Sequence, residues 1–188
     1  MFKIGVTGSI ASGKTTVAKL LSGKKYPLFN ADREVSKIYR QNSFKNQICK
    51  KFKLKNKNNI KSKLKKIISA DKKSLGKLEK IIHPLVRREL AKFSNKNKNK
   101  NLLIFEIPLL IESKLMKTFD KVIFVKTKKT LRLKRYIKQG KSSIIFKILD
   151  KRQLPPAKKI KFSDYVINNN SSLKNLKKNV KIIKKKYE

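Results

Sequence analysis

The apolar positions fall into runs with two different periods. Phe2 to Thr7 is a short β-rich run that ends in a glycine-containing loop, and beyond Gly13 the residues Val17, Ala18, Leu20 and Leu21 recur at helical spacing. That order predicts strand, loop, helix. Tyr26 to Asn30 is a second short apolar segment, and Ala31 to Arg40 carries Val35, Ile38 and Tyr39 at helical intervals. From about Ser43 to Lys98 a Lys-rich stretch places Ile60, Leu64, Ile67, Leu78, Ile82 and Leu90 on a helical stripe, which predicts a helical insertion rather than a linker. Asn95 to Asn101 alternates Asn and Lys and reads as a solvated turn.

Leu102 to Pro108 (LLIFEIP) and Lys121 to Thr127 (KVIFVKT) are continuous apolar runs of the kind found in buried parallel strands. A helical stretch from Lys129 to Gln139 follows, then Gly140 and a basic segment to Gln153. Asp164 to Asn169 (DYVINN) is a last short strand, and Leu173, Leu176, Val180 and Ile183 mark a closing amphipathic helix. Strands separated by helical segments imply an α/β fold with a parallel sheet. There is no internal repeat.

Composition fits one compact domain: 188 residues, 39% of them hydrophobic. The formal net charge of +41 points first to a polyanionic partner, nucleic acid or an anionic membrane. However, only seven of the 52 cationic residues are arginine, and lysine is accompanied by fifteen asparagines and many isoleucines. Base and phosphate readers lean on the planar fork of arginine, so a diffuse Lys/Asn/Ile excess reads as compositional drift. Cys49 is the single cysteine, which excludes an intramolecular disulfide and suits a reducing interior. No window approaches the roughly 18 uninterrupted apolar residues of a membrane span, and the expectation is a cytoplasmic protein.

The chemistry enters at Gly8 to Thr15. GSIASGKT matches G-x-x-x-x-G-K-[ST] and lies between a predicted strand and a predicted helix, where the mechanism needs it. Gly8, Ala11, Ser12, Gly13, Lys14, Thr15 and Thr16 are the candidate ATP-binding residues. Loop amides and the helix N-terminus would surround phosphate oxygens, Lys14 would reach the terminal phosphates, and the Thr15 hydroxyl would ligate Mg²⁺. Neither NKxD nor DxxG occurs, which sets aside a GTPase of the Ras type and leaves a small-molecule kinase as the common reading for so short a chain.

Two carboxylates follow strands. Asp32 would emerge beside the phosphates and could orient or accept an acceptor hydroxyl proton, or it is simply a helix N-cap. Glu106, closing an apolar strand, resembles the carboxylate that holds a magnesium shell, or it serves a structural ion pair.

The chain resembles the dephospho-CoA kinase family. The resemblance rests on Thr7 to Leu21, NADREV (Asn30 to Val35), LEKIIHPLVR (Leu78 to Arg87), PLLIE (Pro108 to Glu112), Gln153 and DYVINN, in the family's order over nearly the whole chain. It implies a P-loop kinase three-layer α/β fold with a five-stranded parallel sheet, whose core is about 1–30 and 101–188, with a helical substrate-binding insertion at about 31–100 and a lid at about 132–153. It implies phosphorylation of the ribose 3′-hydroxyl of dephospho-CoA by ATP with Mg²⁺, the last step of coenzyme A synthesis. Asp32 takes the role of catalytic base or hydroxyl-orienting group. His83, Arg87, Leu109 and Glu112 are placed with the acceptor, and Asn169 where the adenine pocket closes. Lys14 and either Arg132 or Arg135, the two arginines that fit the lid, would neutralise the transferring phosphoryl group, and Thr15 and Glu106 would hold the metal.

The partners expected are these small molecules, with no specific nucleic acid and no membrane, in a monomer with an oligomer left open. The alternatives are another small-molecule P-loop kinase acting on a nucleoside or nucleotide, and a nucleic-acid-stimulated P-loop ATPase. The chain departs from the family at three places: it has Asn30-Ala31-Asp32 where a DAD triplet is usual, Ser9 and Ala11 where glycine is more common, and Lys61 where an arginine is common.

Overall fold

A computed structural model describes residues 1–71 and 73–187. The backbone divides into two compact units, one of residues 1–30 and 96–188, the other of residues 31–95. The second boundary falls five residues before the expected one, where the helix ahead of it ends at Lys96.

The first unit is built on five parallel strands: β1 (Phe2–Gly8), β2 (Leu28–Asn30), β3 (Leu102–Glu106), β4 (Lys121–Lys126) and β5 (Tyr165–Asn168). Their order is β2-β3-β1-β4-β5. The first strand is therefore central, with Ile4 opposite Ile104 on one side and Lys121 on the other. A central parallel strand is covered on both faces, and β3, buried along its whole length, shows the continuous apolar run that this demands. Ile4 and Val6 join Ile104, Ile123, Val125 and Ile167 in a core shared with Val17, Ala18 and Leu21 of α1 (Lys14–Ser22). The same core takes Leu176, Val180 and Ile183 of the last helix (Leu173–Lys184). On the opposite face Gly5 has no room for a side chain, since a Cβ there would lie 2.6 Å from Leu110.

The second unit is helical: α2 (Ala31–Ile38), α3 (Asn42–Phe52), α4 (Ile60–Ala70) and α5 (Lys73–Lys96). Phe44, Ile48, Ile60, Leu64, Leu78 and Leu90 are buried. Asp71 caps α5, accepting from the Ser74 hydroxyl and the Lys73 amide, both at 2.8 Å, and these hold its carboxyl below the ordinary value. Lys61 lies 5.2 Å over the Tyr39 ring, so its charge faces an aromatic side chain within this unit.

Between β4 and β5 the chain forms α6 (Lys129–Lys138), α7 (Ser143–Lys151) and α8 (Pro156–Lys161), followed after β5 by α9 (Leu173–Lys184). The basic segment expected to reach Gln153 is thus largely helical. Phe146, which anchors it, is buried against Tyr136 of α6 with ring centroids 5.6 Å apart. No helix among the described residues is long and apolar enough to cross a membrane.

Candidate active site

The loop from Gly8 to Gly13 connects central β1 to α1, so its amides collect at the carboxyl edge of the sheet, where open α/β sheets bind ligands. Gly13 is the N-cap of α1, at φ 92, and no side chain caps the helix. An uncapped N-terminus presents orphan N–H groups and the positive end of the helix dipole to whatever sits before it. Gly13 is required on two counts. Its φ lies in the left-handed region, and a Cβ would come 2.3 Å from Asn169 Nδ2. Ala11 adopts a left-handed φ of 57 as well, a strained conformation for a residue with a side chain.

The shape of the loop is imposed by residues distant in sequence. Asn169, buried beyond the end of β5, donates from Nδ2 to the Ser12 carbonyl at 2.8 Å. The Thr127 hydroxyl donates to that same carbonyl at 3.0 Å. Asn169, expected where the adenine pocket closes, thus has its side-chain amide bonded to the loop. Lys14 folds back over the loop and donates to the Ser9 carbonyl at 3.1 Å. Ser12 is buried, and its Oγ has no hydrogen-bond partner among the described residues. Thr16 lies exposed on the first turn of α1.

Behind the loop, three residues from three elements form a chain of hydrogen bonds. Thr15 donates its hydroxyl to Glu106 Oε1 at 2.5 Å, and Asn30 donates from Nδ2 to Glu106 Oε2 at 2.6 Å. The register explains the second contact, because Asn30 pairs with Glu106 across β2 and β3. Glu106 is only 2% exposed, so both oxygens need donors. Asn30, where the family usually has an aspartate, supplies one without placing a second negative charge beside it. Since Thr15 has already given its hydrogen away, its oxygen lone pairs remain for a cation. One hydroxyl and a nearby carboxylate suit magnesium, which keeps most of its shell as water and phosphate oxygens. Among the described residues no group of three or more His, Cys, Asp and Glu is assembled, so the donor set is of this sparse kind.

The two arginines expected in the lid are in different situations. Arg132 is 3% exposed and fully engaged: Nη1 meets Asp150 Oδ1 at 2.6 Å and the Ile10 carbonyl at 3.4 Å, while Nε donates to the Thr127 carbonyl at 3.2 Å. Its guanidinium also lies 5.5 Å from the Phe146 ring centroid. Arg135, one turn further on, donates from Nη2 to the Asn169 carbonyl at 3.0 Å. Its Nη1 is buried with no hydrogen-bond partner among the described residues. That nitrogen is 4.0 Å from where a Cβ on Gly13 would be, so it faces the loop.

Glu112 is also occupied. Its Oε1 lies 2.6 Å from the ammonium of Lys159, which is fully buried, and accepts the Leu154 amide at 3.0 Å. Leu109, three residues before it, is 37% exposed. In the helical unit Asp32 is exposed in the first turn of α2, and its carbonyl accepts from Ser36 at 2.9 Å. His83 is half-buried and Arg87 exposed, on the same face of α5. Sequence reasoning gave no role to Thr127, Asp150 or Lys159, and no local signal could have, since each acts on a residue between 18 and 115 positions away.

Comparison with known proteins identifies the family. The family model described as dephospho-CoA kinase matches residues 2–175. The dephospho-CoA kinase of Fusobacterium nucleatum is 39% identical over 183 residues, covering 94% of each chain. That of Aquifex aeolicus is 34% identical over 186 residues, covering 96% of this chain and 95% of its own. Among solved structures, TT1252 from Thermus thermophilus superposes with a TM-score of 0.84 at 26% identity, covering 100% of this chain and 98% of that one. The dephospho-CoA kinase from Campylobacter jejuni gives 0.71 at 28%, covering 98% and 96%. A shikimate kinase from Bacteroides thetaiotaomicron, at 17% identity and 0.57 over 98% and 96%, shares the fold. With the family model matching residues 2–175 and relatives 34–39% identical over at least 94% of its length, the chain belongs to the dephospho-CoA kinase family.

Proposed function

We propose that the chain transfers the terminal phosphoryl group of ATP to the ribose 3′-hydroxyl of dephospho-CoA. The observation that carries this reading is the preshaped loop Gly8–Thr15 opening onto the uncapped N-terminus of α1, in a chain 39% identical to a relative named for that acceptor. The 3′-oxygen forms a bond to the γ-phosphorus as the bond from that phosphorus to the β–γ bridging oxygen breaks. ADP leaves, and the hydroxyl proton passes to the Asp32 carboxylate.

Lys14 and the loop amides hold the phosphates, with Gly8, Ala11, Ser12 and Gly13 allowing the backbone to come close. Arg135 supplies positive charge to the transferring group through Nη1, which has no hydrogen-bond partner among the described residues, whereas Arg132, already paired with Asp150, holds the lid helices to the loop. Thr15 and Glu106 are the residues that would hold Mg²⁺, which when bound neutralises charge on the phosphate oxygens. His83, Arg87 and Leu109 are assigned to the acceptor, and Glu112 offers it only the oxygen not taken by Lys159.

The test is ADP release coupled to a panel of acceptors, comprising dephospho-CoA, shikimate and nucleosides, with the wild type beside Asp32→Asn. Turnover confined to dephospho-CoA and lowered about 10²-fold or more by Asp32→Asn is expected. Turnover with another acceptor only, or none that depends on an acceptor, refutes the reading.

A further inference from the structure

We propose that Gln153 is a positioning residue for the phosphate loop, fixing the peptide of Ile10 so that the loop holds its anion-binding shape before a nucleotide arrives. This rests on the reading of Gly8–Thr15 as the ATP phosphate site. Ile10 is gripped on both of its backbone polar groups from the segment that carries the lid. Its N–H donates to Gln153 Oε1 at 2.8 Å, and its carbonyl accepts from Arg132 at 3.4 Å. An N–H so engaged points at Gln153 and is not offered to a phosphate, so its role is to hold the loop.

What needs holding is the next residue. Ala11 sits at φ 57, and a side-chain-bearing residue persists there only where its surroundings over-determine it. The peptides on either side supply that constraint: Ile10 is fixed by Gln153, and Ser12 by Asn169 and Thr127. Gln153 is in turn seated between two ion pairs. Its own N–H donates to the Asp150 carbonyl at 3.2 Å, and Asp150 pairs with Arg132. The following amide, of Leu154, is held by Glu112, which pairs with buried Lys159. A buried ion pair is weak evidence for stability, and here both pairs fix the orientation of the same short stretch of backbone.

Two variants separate this role from a merely structural one. Gln153→Met keeps the length and removes the carbonyl, and Gln153→Asn keeps the amide but falls one methylene short. In both, the Kd for ATP is expected to rise about tenfold, while that for dephospho-CoA stays within about twofold. Exchange of the Ile10 amide hydrogen in the nucleotide-free protein, followed by NMR, should accelerate by about tenfold or more. The proposal is overturned if ATP affinity and Ile10 exchange stay at wild-type values, or if affinity for both substrates falls in step with Tm. A wild-type chain unable to bind ATP would refute the loop reading instead, and Ile10 exchange still decides whether Gln153 clamps the peptide.

Discussion

Ala11→Gly should make this protein more stable. At φ 57 the alanine Cβ crowds its own backbone, which costs about 1–3 kcal/mol for a non-glycine residue in the left-handed region. Glycine removes that strain but gains freedom in the unfolded chain, returning about 0.5–1 kcal/mol, and loss of a half-buried methyl takes back a few tenths more, roughly half of the ~0.8 kcal/mol for a buried CH₂. Taken at the middle of each range the net is a gain of about 0.9 kcal/mol, or roughly 2–3 °C in Tm for a chain of this size. Thermal and urea melts followed by circular dichroism read it directly. Ala18→Gly is the control: Ala18 is fully buried in α1, and the same chemical change there should cost about 1 kcal/mol or more. A Tm for Ala11→Gly at or below that of the wild type would show that the left-handed residue is not strained and refute the reasoning.

Gly13→Ala should do the reverse, since its Cβ would meet Asn169 Nδ2 at 2.3 Å and break the bond to Ser12; a loss of about 3 kcal/mol with failure to bind ATP is expected in melts and titration. Arg132→Ala leaves Asp150 only the exposed Lys129 ammonium at 3.5 Å and should lower stability by about 2 kcal/mol or more, whereas Arg135→Ala should leave Tm nearly unchanged and lower kcat by about 10³. Equal effects of the two on both readouts would contradict their separate roles. Burial raises the Asp164 carboxyl, but the Val122 amide at 2.8 Å and the Lys121 ammonium at 2.9 Å outweigh it and hold the group below its ordinary value. Its contribution is therefore present above about pH 4 and lost as pH falls through the lowered folded value, so Asp164→Asn should melt lower than wild type at pH 7 and converge with it towards pH 2. A constant gap between the two would exclude that linkage.

The sequence carried the parts of this protein that are local. GSIASGKT announces its own geometry, because its glycines, lysine and threonine are used within eight residues of each other. LLIFE reads as a buried strand, and β3 is buried throughout, because both faces of an inner parallel strand are covered. The order of the strands was not legible, nor was the division of labour between Arg132 and Arg135. Both lie on the same helix three residues apart, and what distinguishes them is Asp150 on α7 and the Asn169 carbonyl beyond β5. Helix α7 reads in the sequence only as part of a basic segment, because Ile144, Ile145 and Ile148 are more than a third exposed and only Phe146 is buried. Asn30 looked like a lost carboxylate; only the β2–β3 register reveals it as the donor to Glu106.

The hydrogen bond from Asn169 to Ser12 spans 157 residues and so has a consequence for biosynthesis. The loop motif is translated 157 residues before the amide that fixes it. At about 5–20 residues per second the interval is roughly 10–30 s. Throughout that time the nascent chain displays the whole phosphate motif without the contact that shapes it, and chains broken off before β5 never acquire it. The shape of the loop is thus tied to completion of the sheet, and a truncated product bearing GSIASGKT but lacking β5 is expected to bind ATP more weakly than the chain that includes it.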